Sequence, residues 1–243
     1  MKTLSVASWE LRDGLFRHPW LERRGVPHGV TTRNLGDMKL PACRAAAARL
    51  LSPDAPAPWV SRQVHGATIH LAPSGPAQAG LEGDGWLTRT PGRPVAVFMA
   101  DCLPIFMWDD ALTAVGAFHS GWRGLTERMP GAAVAAFQGL GLAPDRLRAV
   151  VGPHIGACCY RVGPELRALF PAESLTEAGG GLFLDLGAEA RRQLVAAGLH
   201  PDMISVSSEC TSCRRDDFFS YRRDHGQDSL LALIALPPRG DAG

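Results

Sequence analysis

The sequence predicts an α+β fold: a single domain over residues 1–243, with mixed β-sheets flanked by helices. Apolar runs of strand length crowd the middle of the chain. Helical segments lie among them without a regular strand–helix alternation, which argues against a doubly wound parallel sheet. The Pro- and Gly-rich breaks are too short to separate domains.

In chain order, Pro41 to Leu51 is alanine-rich and reads as a helix. Leu51 to Trp59 (LSPDAPAPW) carries three prolines and reads as a loop. Val95 to Met99, Leu103 to Trp108 and Leu112 to Phe118 read as strands. Asp109-Asp110 between the last two predicts a hairpin turn. Pro130 to Leu140 and Ala188 to Ala197 read as helices, and Leu147 to Val151, Ile204 to Val206 and Leu230 to Leu236 as strands. Glu173 to Gly181 (ESLTEAGGG) reads as a flexible connector or turn.

Composition narrows the function. Lys plus Arg is 25 against 24 for Asp plus Glu, a net charge of +1. That balance argues against a nucleic-acid binder and against a polybasic membrane anchor. The segment Met1 to Leu15 has no unbroken apolar stretch of leader length, and the most apolar run, Val95 to Trp108, is interrupted by Asp101. No membrane partner is expected, and a cytoplasmic location with reduced thiols is.

The metal-capable residues are eight histidines and six cysteines. Three stand apart. His65 lies in Gln63-Val64-His65-Gly66. Cys102 follows Asp101. His119 precedes Ser120-Gly121-Trp122-Arg123-Gly124. A hairpin over residues 103–118 brings its two ends side by side, which places Cys102 next to His119. A thiolate with imidazoles suits zinc, and three protein ligands leave a fourth position open. The same pair can instead be a nucleophile and its base, or Cys102 can simply pack as a small hydrophobe. Gly121 and Gly124 around Arg123 read as a tight turn aiming a positive charge at an anion.

Two further clusters stand out. Gly152 to Tyr160 (GPHIGACCY) is not a P-loop, and its adjacent thiols Cys158 and Cys159 are poor partners for one metal, so a buried loop is expected. Cys210 to Asp224 (CTSCRRDDFFSYRRD) opens on a lone CxxC, a weak signal whose second pair is missing because Cys158-Cys159 has the wrong spacing. Tyr221 and Arg222-Arg223 suit a polyanion or a base ring; the alternative is a salt-bridged surface strand.

The motifs QVHG at residues 63–66, ADCLP at 100–104, HSGWRG at 119–124, GP to CCY at 152–160, Cys210-Thr211 and FFSYRRD at 218–224 occur in that order. This order resembles the YfiH family, also called the laccase-domain or polyphenol oxidase family, over roughly Gly29 to Asp224. The resemblance implies a fold related to the catalytic domain of cytotoxic necrotizing factors, which use a Cys–His pair. It implies a zinc site made by His65, Cys102 and His119. It also implies phosphorolysis of adenosine, inosine and methylthioadenosine, with adenosine deamination.

The partners expected are then a purine nucleoside and phosphate, with the chain a monomer or weak homodimer. Catalytic roles fall to Cys102, His119, Asp101 and Arg123, with Asp101 orienting a ligand histidine or moving a proton. Arg33, Gln63, Tyr221 and Arg222 are the expected substrate-binding residues. The sequence departs from the family pattern where Thr31-Thr32-Arg33 runs directly into Asn34-Leu35-Gly36, at Arg161 in place of an acidic residue, and at His225-Gly226-Gln227. These departures bear on substrate preference rather than on the metal set.

Three other functions use the same residues. A copper (Cu2+) oxidase of phenols is one, although none of the eight histidines stand two apart as multicopper sites require. A cysteine hydrolase cleaving a peptidoglycan-precursor amide is another. The third is a zinc-stabilised binding module without turnover.

Overall fold

The computed structural model describes residues 8–75 and 80–238. Residues 1–7, which open the segment read for a leader, lie outside them. Among the described residues the fold is a mixed α/β structure with three sheets.

The N-terminal strands are β1 (Glu10–Arg12), β2 (Leu15–Arg17), β3 (His28–Thr31), β4 (Ile69–Leu71) and β5 (Gly85–Thr88). The middle of the chain supplies β6 (Val95–Met99), β7 (Leu103–Asp109), β8 (Val115–Ser120) and β9 (Leu147–Val151). The remainder are β10 (Arg161–Val162), β11 (Leu175–Ala178), β12 (Gly181–Leu184), β13 (Ile204–Val206) and β14 (Leu230–Ile234). The helices are α1 (Pro19–Glu22), α2 (Pro41–Arg49), α3 (Trp122–Thr126), α4 (Met129–Gln138), α5 (Leu186–Ala196) and α6 (Tyr221–Asp224). None is long and apolar enough to cross a membrane.

One sheet runs β13-β9-β7-β8-β5-β4, a second β1-β2-β3-β14-β6, and a small third β10-β12-β11. The pairing is mostly antiparallel, with β13–β9 and β4–β5 parallel. Strand β7 shows why the layers form. All seven of its residues are buried. Side chains alternate across a strand, so one strand feeds two cores. Ile105 and Met107 pack with Val134, Phe137 and Leu194 of α4 and α5. Phe106 and Trp108 face the other way, onto Val97, Ala232 and Ile234 of the second sheet. Leu231 and Leu233, which alternate with Ala232 and Ile234 along β14, pack with Ala47 of α2. The order is therefore helices, sheet, sheet, helix. Truncating a ring such as Phe106 between the two sheets costs about 3–5 kcal/mol.

The expected hairpin is present, with a longer turn than the Asp109-Asp110 pair predicts. Strand β8 begins at Val115, and Leu112 takes a left-handed φ of 53°. The Asp109 carboxylate fixes the turn by accepting from the N–H groups of Ala111, Thr113 and Ala114. The Glu173–Gly181 segment, expected as a flexible connector or turn, holds strand β11 and a tight hairpin turn. Its glycines supply the turn at Gly179 and Gly180, with φ of 55° and 72°. The expected tight turn at Gly121–Gly124 is instead the start of α3, with Gly121 at its N-cap. The segment holding Arg222-Arg223, for which a surface strand is the alternative reading, is α6, capped by Ser220, whose hydroxyl accepts from the Arg223 N–H.

Candidate metal centre and substrate cavity

The register of the hairpin sets Leu103 opposite Ser120 and Pro104 opposite His119. Cys102, one residue before β7, therefore meets the end of β8. The thiol of Cys102 and the imidazoles of His65 and His119 offer donor atoms that all lie within 4.8 Å of one another. The rings of His65 and His119 meet edge to face, with centroids 5.0 Å apart. Gly121 makes the approach possible: a Cβ there would sit 2.7 Å from Cys102 Sγ and 3.4 Å from His65 Cδ2.

A carboxylate that the sequence motifs do not include holds this arrangement. Asp84 is fully buried. Its Oδ1 accepts from His119 Nδ1 at 2.8 Å and from the His65 N–H at 3.0 Å. Its Oδ2 accepts from the N–H groups of Val64 and Gly66, both at 3.0 Å. Three successive N–H groups converge on one anion because His65 adopts a left-handed φ of 60°. Asp84 thus shapes the loop carrying His65 and orients the ring of His119. A signal for it exists in the glycines on either side: a Cβ on Gly83 would meet His70, and one on Gly85 would meet Phe118 at 2.7 Å.

The charges follow from these contacts. Burial works against an ionised Asp84, yet the hydrogen bonds from His119, Val64 and Gly66 hold its pKa below the usual carboxylate value. Burial likewise opposes a Cys102 thiolate, but the charge and hydrogen bonds of His119, with those of His65, bring the thiol down to about 6. His119 is buried as well, and the charge of Cys102 with the hydrogen bond to Asp84 lifts it to about 9. An ionised Asp84 can only accept, so Nδ1 of His119 carries a proton, and a metal that displaced the proton of Nε2 would bind there. Two imidazoles, a thiolate and a carboxylate behind one imidazole fit a divalent metal with an open position.

The three donors line a cavity of about 500 Å³. Phe98, Met99, Trp122, Tyr160 and Tyr221 give it apolar and aromatic walls, and Lys39, Arg123 and Arg222 give it positive charge. Arg123 lies over the Trp122 ring at 4.4 Å, and Arg222 over Tyr160 at 5.0 Å. Lys39 is a cation that the motif reading misses, because its neighbours along the chain carry no pattern.

Other expected site residues are placed differently. The Asp101 carboxylate touches no histidine among its hydrogen bonds; it accepts from Thr211 Oγ1 at 2.6 Å and from the Arg222 N–H at 2.7 Å. Its φ of 97° turns the chain sharply beside Cys102. Asp101 therefore ties the Cys102 turn to α6. Gln63 lines the cavity, but its amide is engaged by the backbone of Phe98: Nε2 donates to the carbonyl at 2.9 Å, and Oε1 accepts the N–H at 2.6 Å. Arg33 lies outside this cavity. It lines a smaller adjoining one with Phe219 and Asp224 and donates to the Arg215 carbonyl.

The two cysteine-bearing loops correct the expectation of wrong spacing. A parallel bridge pairs His154 with Cys210. It brings Cys158, Cys159, Cys210 and Cys213 into one group, their sulfurs within 4.8 Å of one another.

Comparison with known proteins identifies the family. Residues 34–236 match a family model described as multi-copper polyphenol oxidoreductase laccase. A purine nucleoside phosphorylase of Deinococcus radiodurans is 38% identical over 182 residues, which cover 73% of this chain and 69% of that one. Adenosine deaminase RL5, from an unknown prokaryotic organism, is 37% identical over 155 residues, 60% of this chain and 59% of that one. The crystal structure of YlmD from Geobacillus stearothermophilus is similar with a TM-score of 0.83 at 32% identity, covering 94% of this chain and 98% of that one. The chain belongs to the laccase-domain family of YfiH and YlmD.

Proposed function

We propose that this chain is a zinc-dependent purine nucleoside phosphorylase acting on adenosine, inosine and methylthioadenosine, with adenosine deaminase activity as a second reaction. The observation that carries this is the juxtaposition of a His65, Cys102 and His119 donor set with Arg123 and Arg222 in one cavity with aromatic walls. The relatives' names supply the substrate class.

In phosphorolysis the bond between the base nitrogen and the anomeric carbon breaks, and a phosphate oxygen bonds to that carbon. Free base and ribose 1-phosphate result. Arg123 and Arg222 neutralise the phosphate, and a guanidinium fork suits its oxygens. Trp122, Tyr160 and Tyr221 offer ring faces to the base. Asp84 keeps His119 in one tautomer and fixes its direction, while Asp101 positions Arg222 through the backbone N–H. A zinc ion held by the three donors supplies Lewis acidity toward an oxygen of substrate or water.

A second reading rests on one observation: Asp84, His119 and Cys102 form a chain of carboxylate, imidazole and thiol. That is also the arrangement of a cysteine hydrolase acting on an amide. Metal content separates the two, because a thiolate bound to zinc is a poor free nucleophile.

The test is chromatography of metal-assayed protein incubated with adenosine, with and without phosphate, beside Cys102→Ala. The expected result is adenine only with phosphate, inosine in either case, and neither from the variant. A fully zinc-loaded chain that yields no product overturns the assignment for adenosine.

A further inference from the structure

We propose that Cys158, Cys159, Cys210 and Cys213 form a second metal site, a four-thiolate centre that holds zinc. These residues lie outside the donor set of His65, Cys102 and His119, and the two sites share no ligand.

The spacing of the sulfurs carries the proposal. Cys158 Sγ lies 3.8 Å from Cys159 Sγ and 3.7 Å from Cys213 Sγ, and Cys159 Sγ lies 3.4 Å from Cys213 Sγ. The Cys210 sulfur completes the group within 4.8 Å of the others. Four sulfurs arranged tetrahedrally about 2.3 Å from a central zinc stand about 3.8 Å apart. The observed triangle is close to one face of that tetrahedron. Adjacent cysteines look unsuited to one metal by sequence spacing, yet here their sulfurs are separated by the length of a tetrahedral edge.

Packing alone does not account for the group. Cys158 and Cys213 are exposed, so they are not filling a core as small hydrophobes. Four thiolates converging with no cation between them would repel. Soft thiolate donors in a tetrahedron select zinc or iron over magnesium or calcium, and zinc is the commonest occupant of an all-cysteine structural site.

The surroundings suit a negatively charged centre. Cys210 Sγ accepts the Gly156 N–H at 3.2 Å. Arg223 donates to the carbonyls of Thr211 and Ser212, inside the CxxC turn, each at 3.0 Å. That places a cation against the turn that carries two of the ligands. Hydrogen bonds and charge behind the ligands are what orient a metal site.

The placement gives the site a purpose. Cys159 adjoins Tyr160, a wall of the substrate cavity. Cys210 adjoins Thr211, whose hydroxyl holds the Asp101 carboxylate. A metal binding all four thiolates therefore clamps the loop of Tyr160 to the segment that leads into α6. It would hold the cavity's far wall, Tyr160 and Arg222, in fixed relation to the Cys102 turn.

The experiment is metal analysis of the full chain after exposure to zinc and removal of free ions. It is run on wild type, on Cys102→Ala with His119→Ala, on Cys213→Ser, and on the triple variant. The expected zinc contents per chain are two, one, one and none. The variant Cys102→Ala with His119→Ala keeps all four cysteines and isolates the second site from any activity. Its zinc should protect the four thiols from a thiol reagent, and its cobalt form should show the sulfur-to-metal charge-transfer band. Should Cys213→Ser fail to fold, this variant still decides the matter. No zinc in it, with four freely reacting thiols, overturns the proposal. So does a disulfide among the four under reducing conditions, or iron in the place of zinc.

Discussion

The Asp84 carboxylate accepts from His119 Nδ1 at 2.8 Å while the backbone N–H of His119 donates to the Asp84 carbonyl at 2.7 Å. The two residues are thus locked by backbone and side chain together, Asp84 just before β5 and His119 on the neighbouring strand β8. The same carboxylate gathers the N–H groups of Val64, His65 and Gly66. One buried anion therefore sets two of the three candidate metal ligands. Asp84→Asn replaces an acceptor of four N–H groups by an amide that must turn an NH2 toward some of them. The expected loss is about 3 kcal/mol in unfolding free energy, measured by urea denaturation. Zinc affinity at the candidate centre should fall about 10- to 100-fold. Unchanged affinity would mean that Asp84 does not orient the ligands.

Gly121 is the second test of the same geometry. Its backbone is ordinary, with φ of −89°, so only space forbids a side chain. Gly121→Ala drives a methyl group to within 2.7 Å of Cys102 Sγ. Zinc binding and turnover should drop at least about tenfold, the effect of a ligand displaced by a fraction of an ångström. Gly131→Ala, in α4 with nothing within 4 Å of the new methyl, is the control. It should raise stability by about 0.5–1 kcal/mol and leave zinc content untouched, since alanine loses less backbone entropy in a helix.

What the sequence makes legible here depends on the range of the contacts. The Cys102–His119 pair can be read because a hairpin is local: once β7 and β8 are recognised, their ends must meet. Strand β7 is visible for the same reason that it is central, an uninterrupted apolar run buried on both faces. Strands of three or four residues such as β4, β5 and β11 carry too little periodicity to be seen. Asp84 escapes because its partners are 18 to 35 residues away and reach it only through the fold. The four cysteines escape because a bridge between His154 and Cys210, 56 positions apart, creates their spacing. Gln63 and Arg33 show the reverse limit, because a sequence does not tell which atoms a polar side chain engages. Their polar groups sit near the motifs but are engaged by backbone atoms of Phe98 and Arg215.

Arg123 and Arg222 separate the two reactions proposed for the cavity. Phosphorolysis needs a bound phosphate, and deamination does not. Arg123→Gln keeps most of the side chain's length and polarity but removes the charge. It should raise the KM for phosphate about 10- to 100-fold, the loss of one or two charge-assisted hydrogen bonds. Deamination of adenosine should change by less than about threefold, the ordinary scatter of a substitution that touches no reacting group. Equal losses in both reactions, measured by product chromatography, would place Arg123 on the nucleoside rather than on phosphate.

Acid stability turns on His28, buried at the start of β3 in the second sheet. Its Nδ1 donates to the Val26 carbonyl at 2.8 Å, and its Nε2 accepts the His18 N–H at 2.7 Å. The neutral ring satisfies both contacts, and a proton on Nε2 would set two donors against each other. Burial lowers its pKa from 6.5 to about 3, with the nearby charges of Arg17 and His18 acting in the same direction and the Val26 carbonyl opposing. The unfolded chain thus binds a proton below pH 6.5 that the folded chain refuses until about pH 3. The contribution of His28 to stability is fully present above the unfolded value and is lost as pH falls through that window. Its slope is about 1.4 kcal/mol per pH unit. Urea unfolding at a series of pH values across the window should show this loss. In His28→Gln, which can still donate and accept but does not titrate, the slope should be shallower by one proton. A wild-type and variant pair with identical slopes would mean that His28 takes up its proton in the folded chain as readily as in the unfolded one.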